Sequence, residues 1–273
     1  MERFPERPQR TPDVADDFSS PALRRDLWVD AYLPHWTTPE RARARYDLTG
    51  DGLRLLIESD QPDWREEDAP LRVSNLQSGT FSGPVGSDRG THRYVPGLTV
   101  RTETPEDILW APSSGRVDVT VSASLDENCM LAAWLVGVEN GSPRDSGEIC
   151  IFEIDASAIG RAETRARCGI KAHGDDRLEA DMREVVVSID ASRTHTWSVE
   201  WGTEGTVIGC EGVVVWRSTV APGYPLLLML DLFETGARSA DDAYPKSAVI
   251  HSVTGWNGGA TPPSSTHPSS PSR

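Results

Sequence analysis

Ser146-Gly147-Glu148-Ile149-Cys150-Ile151-Phe152-Glu153-Ile154-Asp155 sets two glutamates inside an otherwise apolar run. The run reads as a strand. Two carboxylates in so apolar a strand need a physical account, because an ionised group buried without a partner is costly. Side chains alternate between faces along a regular strand, so positions 148 and 153, an odd number of steps apart, point to opposite faces. A single β-bulge between them returns both to one face. Two arrangements therefore stand open: Glu148 facing solvent with Glu153 paired to a basic residue, or both carboxylates aimed into one groove.

Outward from this stretch the strand signal repeats. Leu53, Leu55 and Ile57 alternate with Arg54, Leu56 and Glu58 after the Thr49-Gly50-Asp51-Gly52 turn. Val117, Val119 and Val121 alternate with Asp118, Thr120 and Ser122, and residues 184–190 (EVVVSID) read in the same way. His195, Trp197, Val199 and Trp201 share one face of a further strand. Residues 206–218 read as a hairpin turning at Cys210-Glu211-Gly212, and 226–234 and 248–256 complete the set. Helical patterning is confined to two short candidates, 38–44 and 178–182. Many short strands separated by turn residues predict an all-β fold, an antiparallel β-sandwich (jelly roll) with a concave substrate face. One domain is expected over residues 16–256. A Pro-, Arg- and Asp-rich stretch at 1–15 reads as a flexible lead, and 257–273 (NGGATPPSSTHPSSPSR) as a disordered tail too polar to bury apolar surface.

Of 273 residues, 37% are hydrophobic and 25% charged, an ordinary balance for a globular domain with a sizeable core. The net charge of −15 argues against nucleic acid or an anionic membrane as partner, since phosphate binding needs clustered Lys and Arg. A neutral ligand such as a sugar suits this surface better. No apolar run approaches the roughly 20 residues needed to cross a bilayer. The first residues lack the apolar core of a secretory signal, so a cytoplasmic monomer is the expectation. Cys129, Cys150, Cys168 and Cys210 form no C-x-x-C pair and sit beside apolar residues. They read as buried free thiols rather than zinc ligands, two disulfides being the arithmetic alternative. The acidic runs Glu66-Glu67-Asp68 and Asp175-Asp176 offer no closed calcium set, so no metal or cofactor is expected.

If residues 148–153 are bulged, the two Cα atoms lie about 13 Å apart at ~3.3 Å for each of four effective steps. Side chains leaning together then bring the carboxyl groups to roughly 5–5.5 Å, the spacing that retaining glycoside cleavage requires. One carboxylate attacks the anomeric carbon while the other protonates the leaving oxygen and later activates water. Mutual repulsion favours one anionic and one protonated member near neutral pH.

Residues 148–153 (EICIFE) resemble the E-I-D-I-x-E signature of glycoside hydrolase family 16, and the flanks agree in order. Residues 130–137 (MLAAWLVG) resemble the family's W-P-A-x-W-L-x-G strand, 115–123 (GRVDVTVSA) its G-R-F-E-x-R-x-K-A strand, and 75–79 (NLQSG) its Y-T-S-G region. Downstream, 195–201 (HTWSVEW) are similar to H-x-Y-x-x-x-W, and 225–233 (PLLLMLDLF) to P-M-x-L-x-L-N-L. Cys210-Glu211-Gly212 stands where the family has V-D-G. The resemblance implies a laminarinase- or lichenase-like sandwich and a retaining endo-glycosidase for a β-linked glucan or galactan. It makes Glu148 the nucleophile and Glu153 the acid/base, and places Trp134 at the floor of the sugar cleft. It departs at the middle acid, which is Cys150 here, a much weaker hydrogen-bonding group than a carboxylate. It departs also at Asp118, Thr120 and Ser122. The rival reading is a non-catalytic, lectin-like carbohydrate binder on the same fold. A third is an accessory protein whose cleft binds a small intracellular glycan.

Four further residues are candidates for saccharide contact. Trp134 can stack on a pyranose ring or pack in the core. His173 can reach a sugar hydroxyl from a loop, Asn75 can hydrogen-bond substrate from a cleft loop, and Phe233 is a further aromatic candidate. Asp231 and Glu234 are expected as charges at the cleft rim. Trp110, Phe81 and His195 read as structural.

Overall fold

The computed structural model describes residues 2–258. Two antiparallel sheets stack face to face, as the alternation predicts. One runs, in spatial order, through Val213–Ser218, Gly205–Cys210, His195–Gly202, Gly115–Ser122, Lys246–Asn257, Leu53–Ile57 and Arg45–Leu48, with Val14–Asp16 paired to the last strand of the chain. The other runs Asp181–Val187, Thr164–Lys171, Glu148–Asp155, Cys129–Gly137, Leu226–Glu234 and Arg72–Gln77. This is a β-sandwich of the jelly-roll class.

The core lies between the sheets and is built from the residues that recur every second position. Val117, Val119, Val121, Trp197 and Val199 from one sheet meet Ile149, Ile151, Phe152, Leu228 and Leu230 from the other. Phe152 and Trp197 join the two sheets ring to ring at 5.2 Å, and burying one such side chain contributes about 1.5–3 kcal/mol. A second apolar cluster covers the outer face of the six-stranded sheet. Trp36, Trp64, Leu98 and Val100, all from segments outside that sheet, pack there against Trp134, Met229 and Phe233.

Several boundaries differ from expectation. The helix expected at 38–44 is one turn, Pro39–Ala42, opened by a proline at its first position. No helix forms at 178–182; the chain turns there and enters the strand Asp181–Val187, whose β-branched valines favour extension. Of the stretch 1–15 read as a flexible lead, the described residues 2–15 lie along the first sheet. Phe4 is buried against Gly209, Arg3 bridges Val213, and Arg7 pairs with Asp118. The polar composition hid these anchors. Of the expected tail, Asn257 ends the last strand and accepts the Trp110 Nε1–H at 2.9 Å; residues 259–273 lie outside the described residues. The four cysteines are buried free thiols.

Candidate active site

The Glu148–Asp155 strand is bulged. Ala133 faces Phe152 and Trp134 faces Cys150, so Ile151 is the extra residue on that side. On the other side, three steps from Cys150 to Glu153 are spanned by two from Gly169 to Arg167. Gly169 sits beside the kink with φ 138°, and a Cβ there would lie 2.1 Å from the Asp181 carbonyl oxygen, so only glycine fits. The bulge sends Ile149, Ile151, Phe152 and Ile154 to the core and Glu148, Cys150 and Glu153 together to the outer face. One oxygen of each glutamate and the Cys150 sulfur lie within 4.8 Å of one another.

The register places Lys171 across from Glu148 and Arg167 across from Glu153. Lys171 Nζ lies 2.9 Å from Glu148 Oε1 and donates to Glu153 Oε1 at 2.5 Å. Arg167 Nε donates to Glu153 Oε2 at 2.9 Å and its other arm pairs with Asp155. His173 Nε2 meets Glu148 Oε2 at 2.9 Å. Glu148 is only 1% exposed. Burial pushes its carboxyl up, but the His173 hydrogen bond and the Lys171 charge outweigh that and hold it at about 2. It is therefore an anion throughout the physiological range. Lys171 is held above its ordinary value because the Glu148 and Glu153 charges overcome its burial. Burial, then the Glu153 charge, push the Cys150 thiol well up, and its S–H donates to the Arg167 carbonyl at 3.6 Å. Cys150 is thus a neutral group where the resemblance has an acid.

All seven residues expected at the site come to this one region, though not all in the expected posture. Trp134 is 6% exposed; Lys171 Nζ lies 4.9 Å from its ring centroid, and His92 and Phe233 pack beside it at 6.4 and 5.5 Å. Phe233 is buried edge-on against Tyr32. Asn75 lies in a strand rather than a loop, fully buried, and donates to Asp231 Oδ1 at 2.7 Å. Asp231 and Glu234 are likewise fully buried, not solvated at a rim. Burial drives the Asp231 carboxyl well above the usual range in spite of the Asn75 amide. Buried polar atoms of this region without a hydrogen-bond partner include Trp134 Nε1, Asn75 Oδ1, Asp231 Oδ2 and His92 Nδ1. Two important residues were not anticipated. Lys171 follows from pairing the 148–155 and 164–171 strands, a register that the sequence does not display. His92 comes from a stretch without periodicity.

Comparison with solved structures places the architecture. An endo-β-galactosidase from Clostridium perfringens that releases GlcNAcα1-4Gal superposes with a TM-score of 0.78 at 23% identity, over 93% of this chain and 65% of that one. A non-specific endo-β-1,3(4)-glucanase of family 16 gives 0.63 at 17% identity, with 93% of each chain covered. The laminarinase catalytic domain of Thermotoga maritima gives 0.62 at 12% identity, over 91% and 98%. The fold is that of glycoside hydrolase family 16. The sequence itself matches no protein-family model and no curated protein. On the family 16 fold, the glutamate strand lies third in its six-stranded sheet, covered by side chains from residues 32–36, 64 and 92–100. The chain spans just under two thirds of the Clostridium protein.

Proposed function

We propose that the chain is a retaining endo-glycosidase acting on a β-linked galactan or glucan, with Glu148 as nucleophile and Glu153 as acid/base. The observation that carries this reading is the bulge at Ile151, which aims both carboxylates to one face with oxygens within 4.8 Å. The likeness to an endo-β-galactosidase and to endo-β-glucanases supports the substrate class. Glu148, held ionised by His173 and Lys171, attacks the anomeric carbon as the glycosidic C–O bond breaks. The proton of Glu153 goes to the departing oxygen. Water then attacks the same carbon, Glu153 takes its proton, and Glu148 leaves as a carboxylate.

Both Glu153 oxygens accept from cations in this state, so acid catalysis requires Lys171 to release Oε1. Its side chain is 27% exposed, so solvent can receive the ammonium when a sugar displaces it. The same grip, with Cys150 in place of an acid, supports the second reading, a lectin-like binder in which the carboxylates only accept hydrogen bonds. Reducing-end release from laminarin, lichenan, agar, carrageenan and xyloglucan separates the two. The enzyme reading expects release from at least one polymer, abolished in Glu148→Gln and Glu153→Gln. Binding without release selects the second reading, and release that survives both substitutions overturns the assignment of roles.

A further inference from the structure

Glu148 is met by two imidazoles, and one of them, His92, has no part in the glycoside cleavage proposed above. One donor atom each of His92, Glu148 and His173 lies within 4.8 Å of the other two. His173 Nε2 is 2.9 Å from Glu148 Oε2, and the two imidazole rings meet edge to face with centroids 4.9 Å apart. His92 is 7% exposed, and its Nδ1 is buried with no hydrogen-bond partner. A buried ring that has a nitrogen without a partner, and that lies beside a carboxylate and a second imidazole, calls for an occupant.

Two imidazole nitrogens and one carboxylate oxygen form the donor set of a zinc-class ion. Calcium and magnesium take oxygen ligands, whereas zinc accepts two histidines and a glutamate and keeps a fourth position for water. We propose that His92, Glu148 and His173 form a binding site for a divalent transition-metal ion of the zinc class. His173 and Glu148 Oε2 supply two ligands at the place where they now share a hydrogen bond, and the ion takes over the role of that proton. His92 supplies the third from the covering segment. Lys171, on Oε1 at 2.9 Å, leaves Oε2 free for the ion and fixes the plane of the carboxylate, as an outer partner of a metal ligand does. Binding is independent of the activity proposed above. One consequence rests on that reading: an ion on Glu148 occupies the oxygen needed for attack, so bound metal inhibits cleavage.

The test titrates chelator-stripped full chain with Zn²⁺ by calorimetry, and with Co²⁺ followed by visible absorption. The site predicts one tight equivalent of Zn²⁺ and Co²⁺ bands that Zn²⁺ displaces. His92→Ala and His173→Ala should each weaken binding by at least about tenfold, the loss that removing even an outer partner causes. His251→Ala should change nothing, since that ring is engaged elsewhere, by Ser122 and the Asp51 carbonyl. Circular dichroism melts of the metal-free variants check folding. Should His92→Ala fail to fold, the part-exposed His173 carries the test alone. No saturable binding, or binding that His173→Ala leaves intact, overturns the proposal whether or not the protein cleaves any glycan.

Discussion

The six-stranded sheet carries two buried ion networks, and they are built to different standards. Glu234, Arg72, Tyr244 and Lys246 leave no buried side-chain polar atom without a partner. Arg72 Nε donates to the Glu234 carboxylate at 2.6 Å, Lys246 Nζ lies 2.7 Å away, and Tyr244 donates at 2.8 Å. The remaining Arg72 donors reach Asp63 and the Gly236 carbonyl, and Lys246 also reaches the Glu127 carbonyl. Around Glu148 the ion pairs are as short, yet Trp134, Asn75, Asp231 and His92 each leave a buried polar atom without a partner. A completed network staples strands together. An incomplete one holds polar groups in wait, at a cost in stability, for something that satisfies them. The contrast separates structural charge from a site, which counting salt bridges cannot do.

The contrast can be broken most directly by deletion. Glu234→Ala strands two buried cations and should cost about 3–5 kcal/mol in chemical unfolding. Lys171→Met should cost only roughly 1–2 kcal/mol, because water reaches the part-exposed lysine and the glutamates beneath it relax. Equal losses would erase the distinction. Cys150→Asp sharpens it from the side of activity. A carboxylate beside Glu148 and Glu153 competes for Lys171 and frees Glu153 to act as an acid, so initial rates should rise about tenfold, ~1.4 kcal/mol in the barrier. An unchanged or lower rate contradicts the role given to Lys171.

A smaller effect concerns Asp231. Burial raises its folded-state carboxyl above its unfolded value, so between those two values the folded protein holds a proton that the unfolded chain has lost. The stability this group contributes is whole below the unfolded value near 3.9 and is lost as pH rises toward the folded one. Asp231→Asn, which also offers an amide to the unpartnered Asn75 Oδ1, should therefore gain about 1 kcal/mol at pH 7. The gain should shrink toward zero below pH 4. A pH-independent difference in unfolding free energy would show that Asp231 is not the titrating group.

Much of this was legible in the chain. The sandwich follows from period-two alternation at residues 53–57, 117–121 and 195–201. The bulge is one of two arrangements open to two glutamates an odd number of steps apart, and the family resemblance points to it. What stayed hidden depends on contacts distant in sequence. Lys171 becomes a partner of both glutamates only through strand register. Asp231 looked like a rim charge because its burial is supplied by covering segments around residues 32–36, 64 and 98–100, which have no periodic signal. Residues 2–16 are polar, and one phenylalanine among them anchors the stretch.

The chemistry itself can be read from a covalent bond. Incubation with a 2-deoxy-2-fluoro β-galactosyl or β-glucosyl oligosaccharide bearing an activated leaving group traps the nucleophile of a retaining enzyme, and peptide mass spectrometry locates it. One glycosyl adduct is expected, on Glu148, absent from Glu148→Gln. An adduct on Glu153 or any other residue, or no adduct from a reagent that the protein demonstrably binds, would contradict it.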